Sequence, residues 1–112
     1  MAFETSDANT GRWEKPVRVP AQKRDIFEAA REMCADLDGW KVVGVDEGGL
    51  SISCERDGGV LGGRSVIHVR VEGPDGIPSS TTFVSSESKG GLWKRDRRNV
   101  AEFVKKFTMR VC

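Results

Sequence analysis

A cysteine beside a histidine can serve as a nucleophile, because the imidazole takes the thiol proton and leaves a reactive thiolate. In this chain the pair available for that chemistry is Cys54 with His68, the only histidine present. Strand parity argues against it. In LSISCER, Leu50, Ile52 and Cys54 alternate with Ser51, Ser53 and Glu55, and in SVIHVRVE, Ile67, Val69 and Val71 alternate with Val66, His68, Arg70 and Glu72. Successive strand residues point to opposite faces, so Cys54 belongs with the apolar set and His68 with the wet set. His68 therefore reads as a solvated strand residue. Together with Ser51, Ser53 and Arg70 it offers an exposed sheet face on which a partner could bind.

Other reactive residue types are no better organised. The 3 cysteines, Cys34, Cys54 and Cys112, fit neither a disulfide framework nor paired metal knuckles. Cys34 falls on a helical apolar stripe and Cys54 on the apolar side of a strand, so both read as buried reduced thiols, whereas the terminal Cys112 reads as exposed. Gly58, Gly59, Gly62 and Gly63 could suggest a phosphate cradle, but such a loop opens onto a helix N-terminus and carries a GK[ST] triplet. Here the glycines lead into an alternating strand, so a hairpin tip is expected. Asp46 and Glu47 read as turn carboxylates. No catalytic constellation is found, and a non-enzymatic protein without metal or cofactor is expected.

Charge is the strongest signal. From Lys89 to Cys112 there are eight basic residues against Asp96 and Glu102, a local net charge of +6 in a chain of +1, which leaves the preceding 88 residues at −5. On a helix, Lys94, Arg98 and Lys105 would stack on one flank, with Arg95 and Lys106 further round and Glu102 between. Such a ridge could neutralise the phosphates of a nucleic acid. The competing reading is internal: Asp25, Glu28, Glu32 and Asp36 form an acidic flank on the first predicted helix, and the two flanks could face each other, Glu32 near Arg98. Positive charge in a first turn opposes the helix dipole, so some compensating anion is expected either way.

The positioning elements follow from periodicity. With 112 residues, 38% hydrophobic and 31% charged, the chain has room for one ordinary domain. Residues 1–12 are polar and read as a disordered tail, leaving 13–112 as a single α+β domain. Pro16 and Pro20 restrict the segment WEKPVRVPA to an edge strand or lead-in. Ile26, Phe27, Ala30, Met33, Cys34 and Leu37 recur at helical spacing, which predicts a helix over 21–37, with Asp25 and Glu28 as a capping box and Gly39 as the stop. Short β-type runs over 40–46, 50–56, 65–72 and 80–85, joined by turn-rich gaps too short for parallel crossovers, predict a four-stranded antiparallel meander. Val100, Phe103, Val104, Phe107 and Val111 predict a final helix beginning between Trp93 and Asp96. Both helices should cover one sheet face. No window carries the ~18–20 apolar residues of a membrane span, and the N-terminal residues lack the pattern of a secretory signal, so a cytoplasmic location is expected.

Trp40, Leu92 and Trp93 lie at the junctions of strand and helix, where large apolar residues either close a core or line the mouth of a pocket. With VRVPAQKRDIFEAAREM at one end and SSESKGGLWKRDRRNVAEFVKKF at the other, the chain resembles small bacterial domains of unknown function. It also looks like a shortened relative of the helix-grip, START-like lipid-binding proteins. That resemblance implies a long C-terminal helix across a curved antiparallel sheet, and it transfers no catalytic residue. A small binding or adaptor module is expected, taking a small molecule or a protein in the crevice near Trp40 and Trp93 or on the wet sheet face. Nucleic-acid binding through Lys94, Arg95, Arg98, Lys105 and Lys106 is the alternative.

Overall fold

The computed structural model describes residues 2–57, 63–89 and 95–112, with only the backbone of Lys89. The elements run β1 (Ala2–Glu4), β2 (Val17–Val19), α1 (Lys23–Asp36), β3 (Trp40–Asp46), β4 (Ser51–Asp57), β5 (Arg64–Glu72), β6 (Ser80–Lys89) and α2 (Arg95–Val111). They form one 6-stranded antiparallel sheet, ordered β1-β6-β5-β4-β3 with β2 also on β6. The four-stranded meander is thus its centre, and the expected four-strand sheet is corrected to six. No helix among the described residues is long and apolar enough to cross a membrane.

The additional strands come from the N-terminal segment. Ala2 pairs with Glu87 and Glu4 with Ser85, while further along β6 Val17 pairs with Thr82 and Val19 with Ser80. Between them the chain loops out and returns. The Thr5 N–H donates to the Val84 carbonyl at 2.9 Å, the Val84 N–H donates to Thr5 Oγ1 at 3.1 Å, and the Ser6 N–H closes the excursion on the Glu14 carbonyl at 3.1 Å. Asn9 Nδ2 donates to the carbonyls of Glu4 and Glu14. Ser6 and Asn9, which composition assigns to a solvated tail, bond the loop's own backbone, and Ala2–Glu4 pair along the edge of β6. β2 is the edge strand its flanking prolines require.

α1 starts one turn before the expected capping box: its N-cap is Gln22, which makes no side-chain cap hydrogen bond. Asp25 instead lies in the first turn, where a carboxylate complements the helix dipole. The helix stops as Leu37 donates to Met33 at 3.0 Å, and Gly39 takes φ +82° in the left-handed region that glycine tolerates. Ile26, Phe27, Ala30, Met33 and Cys34 are its buried stripe.

α1 lies over β3, β4, β5 and β6, and α2 over β6, β1 and β2, both on one face. Phe27, Phe103, Phe107, Ile52, Ile67 and Val69 fill the layer between. Phe103 stands 5.3 Å from Phe107 and 6.0 Å from Trp40, ring centre to ring centre. The helices do not meet flank to flank in charge. Arg110 reaches Asp36 at 3.3 Å near the C-terminal ends of both, whereas Arg97 turns the other way, to Glu14. Among the described residues Glu32 and Arg98 form no ion pair, because the basic positions of α2 diverge around its circumference.

Candidate functional site

Extending the apolar stripe of α2 back by one turn from Val100 and Phe103 lands on Asp96 and Asn99, polar residues at core positions. Asp96 is 5% exposed and Asn99 3%. Opposite them stands the helix-facing side of β6, made of Ser80, Thr82, Val84, Ser86 and Ser88, all buried. Small hydroxyls there leave room for polar side chains of the helix and give them partners.

The resulting network is continuous. Ser86 Oγ and Ser88 Oγ each donate to Asp96 Oδ1 at 2.6 Å, and the Ser88 N–H donates to Oδ2 at 3.2 Å. Since the Ser88 hydroxyl proton is committed to the carboxylate, the Ser65 hydroxyl is the donor in its 2.7 Å contact with Ser88 Oγ. Asn99 Nδ2 donates to Ser86 Oγ at 3.1 Å, and its Oδ1 accepts from Arg56 Nη1 at 3.1 Å. The same Arg56 nitrogen donates to Glu102 Oε2 at 2.7 Å, which also accepts from Trp40 Nε1 at 3.1 Å. The Arg56 guanidinium lies 5.5 Å from the Trp40 ring centre, and Lys106 Nζ is 3.6 Å from Glu102 Oε1. One end of the layer, where β3 begins and β4 ends, is therefore a prearranged set of donors and acceptors beside an aromatic wall. Such a set can orient a polar ligand.

Of the residues expected at a pocket mouth, Trp40 belongs to this cluster, while Leu92 and Trp93 lie outside the described residues. So do Lys94, Gly58, Gly59 and Gly62. Within the anion-binding set, Arg95 is half-buried, whereas Arg98, Lys105 and Lys106 are exposed. Lys106 is shared with Glu102; Arg98 and Lys105 have no ion-pair partner among the described residues.

The exposed sheet face is assembled as its parity predicts. Ser51 pairs with Arg70 and Ser53 with His68, and Ser53 Oγ is 3.0 Å from His68 Nδ1. Arg70 lies 4.7 Å from the Phe83 ring centre and bonds Glu72. A depression of only about 80 Å³ sits there, between His68, Arg70, Phe83 and Thr5. Cys54 is buried, on the opposite side from exposed His68. It meets Cys34, whose thiol is pushed up by its hydrogen bond with Cys54 and by burial, and it stands on the far side of the sheet from His68, so Cys54 and His68 form no pair.

A larger groove, about 570 Å³, opens at the opposite end of the sheet between Lys23, Leu50, Val71, Gly73, Ser80 and Phe83. Its lysine is already paired with Asp75. Glu72, Ser79, Ser80 and Thr81 also line it.

No protein-family model matches the chain, and no curated protein matches it. In shape it is similar to the crystal structure of the di-domain ARO/CYC BexL from the BE-7585A biosynthetic pathway, with TM-score 0.62 and 11% identity over 97% of this chain. The match takes in 46% of that protein, so the chain spans about half its length. It is also similar to Ara h 8.0201, with TM-score 0.50 and 13% identity over 98% of both chains. At these identities the likeness is one of fold, and the fold is the helix-grip arrangement: a long C-terminal helix held across an antiparallel sheet.

Proposed function

We propose that the chain is a small ligand-binding module that takes a small molecule in a crevice between the first turns of α2 and the adjoining ends of β3, β4, β5 and β6. It acts without covalent chemistry and without a cofactor. One observation carries the reading: Asp96 and Asn99 stand at positions where α2 would otherwise continue its apolar stripe. Buried polar groups cost desolvation, and apolar residues of similar shape would often be as stabilising. A local departure from core rules of this kind is common where a site has been built. Trp40 supplies an aromatic wall, and the hydroxyls, amide and guanidinium supply directional contacts, the combination small-molecule sites use. Its first test is a thermal-shift and tryptophan-fluorescence screen of aromatic and aliphatic metabolites. Binders that lose affinity on Asn99→Ala and Arg56→Gln support it, and a screen without a saturable binder counts against it.

Exposed Arg98 and Lys105 favour a second reading, polyanion binding along α2. That surface is thinned by internal pairing, since Arg97, Lys106 and Arg110 each already face a carboxylate. Titration with duplex and single-stranded DNA at two salt concentrations separates the readings, because phosphate contacts give an affinity that falls steeply with salt.

A further inference from the structure

Arg95 carries, among the described residues of α2, a shielded guanidinium left without an acceptor. Its Nη1 and Nη2 atoms are shielded from solvent and make no hydrogen bond among the described residues. Neighbouring carboxylates are engaged elsewhere. Asp96, next in sequence, gives both oxygens to Ser86 and Ser88 of β6. Glu102 is taken by Arg56, Trp40 and Lys106. Helical spacing puts Arg95 on the same flank as Asn99, Glu102 and Lys106, at i, i+4, i+7 and i+11, and Arg56 spans Asn99 and Glu102 on that flank. Glu102 on that flank already answers Arg56 and Lys106.

A shielded guanidinium without an acceptor is costly, and each such group in a folded protein calls for a cause. Arginine's fixed fork matches a carboxylate bidentately, with two parallel charge-assisted hydrogen bonds. We infer that Arg95 is the anion-recognising arm of the crevice, and that the molecule bound there carries a carboxylate on an apolar, aromatic body that packs towards Trp40. This inference rests on the crevice reading above and adds the chemical class of the ligand.

The test compares two probes of one skeleton, 2-naphthoate and 2-naphthamide, by isothermal titration with wild type, Arg95→Gln and Arg98→Gln. The expected result is that wild type prefers the carboxylate by about tenfold, the worth of a charge-assisted hydrogen bond pair over a neutral one. Arg95→Gln should erase the preference while still binding the amide, and Arg98→Gln, which removes an exposed charge, should leave both affinities unchanged. Equal wild-type affinity for the two probes, or a preference that survives Arg95→Gln, overturns the anion inference and leaves the crevice reading standing. Binding of neither probe removes both. Thermal unfolding of the free variants supplies an independent check: Arg95→Gln should unfold no lower than wild type, and a fall of several degrees would make Arg95 a structural residue and overturn the assignment.

Discussion

Asp96 gathers two serine hydroxyls and a backbone N–H of β6 in the first turn of α2, where a negative charge also suits the helix dipole. Asp96→Ala should therefore cost about 1–3 kcal/mol in chemical denaturation, mostly from hydroxyls left unsatisfied, and a loss within error of zero would show that water replaces the carboxylate without penalty. Glu14 has a different dependence. The hydrogen bonds from Arg97 hold its carboxyl below the ordinary value of 4.5. A carboxyl lowered on folding adds stability that is fully present above that ordinary value and is lost as the pH falls through the lower, folded one. The melting temperature of wild type should accordingly fall more steeply than that of Glu14→Gln on acidification below about pH 4.5, and parallel curves would contradict the pairing. At this scale the sequence was readable where a side chain follows parity: Cys54 inside, His68 outside, Ser53 on the same face as His68. It was unreadable at Asp96, Asn99 and Arg56, whose partners lie on elements brought together only by the fold. The usable hint was polar residues interrupting the stripe of α2 at the position where β6 turns serine-rich.

Elements with a period of their own could be foreseen. The stripes of α1 and α2 and the alternation of β4 and β5 depend on local order alone, and their observed bounds lie within two residues of those expected. β1 is three residues long and has no period to read; β6 beyond Ser85 is SESK, poor in strand-favouring types, and is held by pairing with β5 on one side and β1 on the other. Removing residues 1–5 should thus lower the melting temperature and speed hydrogen exchange at the Val84 amide, which loses its acceptor Thr5 Oγ1. Unchanged exchange would return this segment to the status of a tail. Within α2, Phe103 packs between Trp40 and Phe107 and is fully buried. Phe103→Ala should cost about 3–5 kcal/mol through lost contact and the cavity left behind, measured by urea denaturation.

Across the whole molecule, the opposed charges of its two ends are dispersed rather than matched along one seam. Arg97 draws the N-terminal loop onto α2, Arg110 meets α1 and Lys106 stays within its own helix, so half of the basic residues of α2 are answered within the fold. Trp40 and Phe103 stand at the end of the layer that also holds the hydroxyl, amide and guanidinium cluster beneath the start of α2. The decisive measurement is a ¹H–¹⁵N correlation titration of the full chain with a series of aromatic carboxylates and amides, the Trp40 indole resonance being assigned through Trp40→Phe. Binding in the crevice predicts saturable shifts at the Trp40 indole and at the amides of Ser86, Ser88 and Asn99. Shifts confined to Gly49, Gly73 and the other residues of the far groove, or to the His68 face, would contradict it.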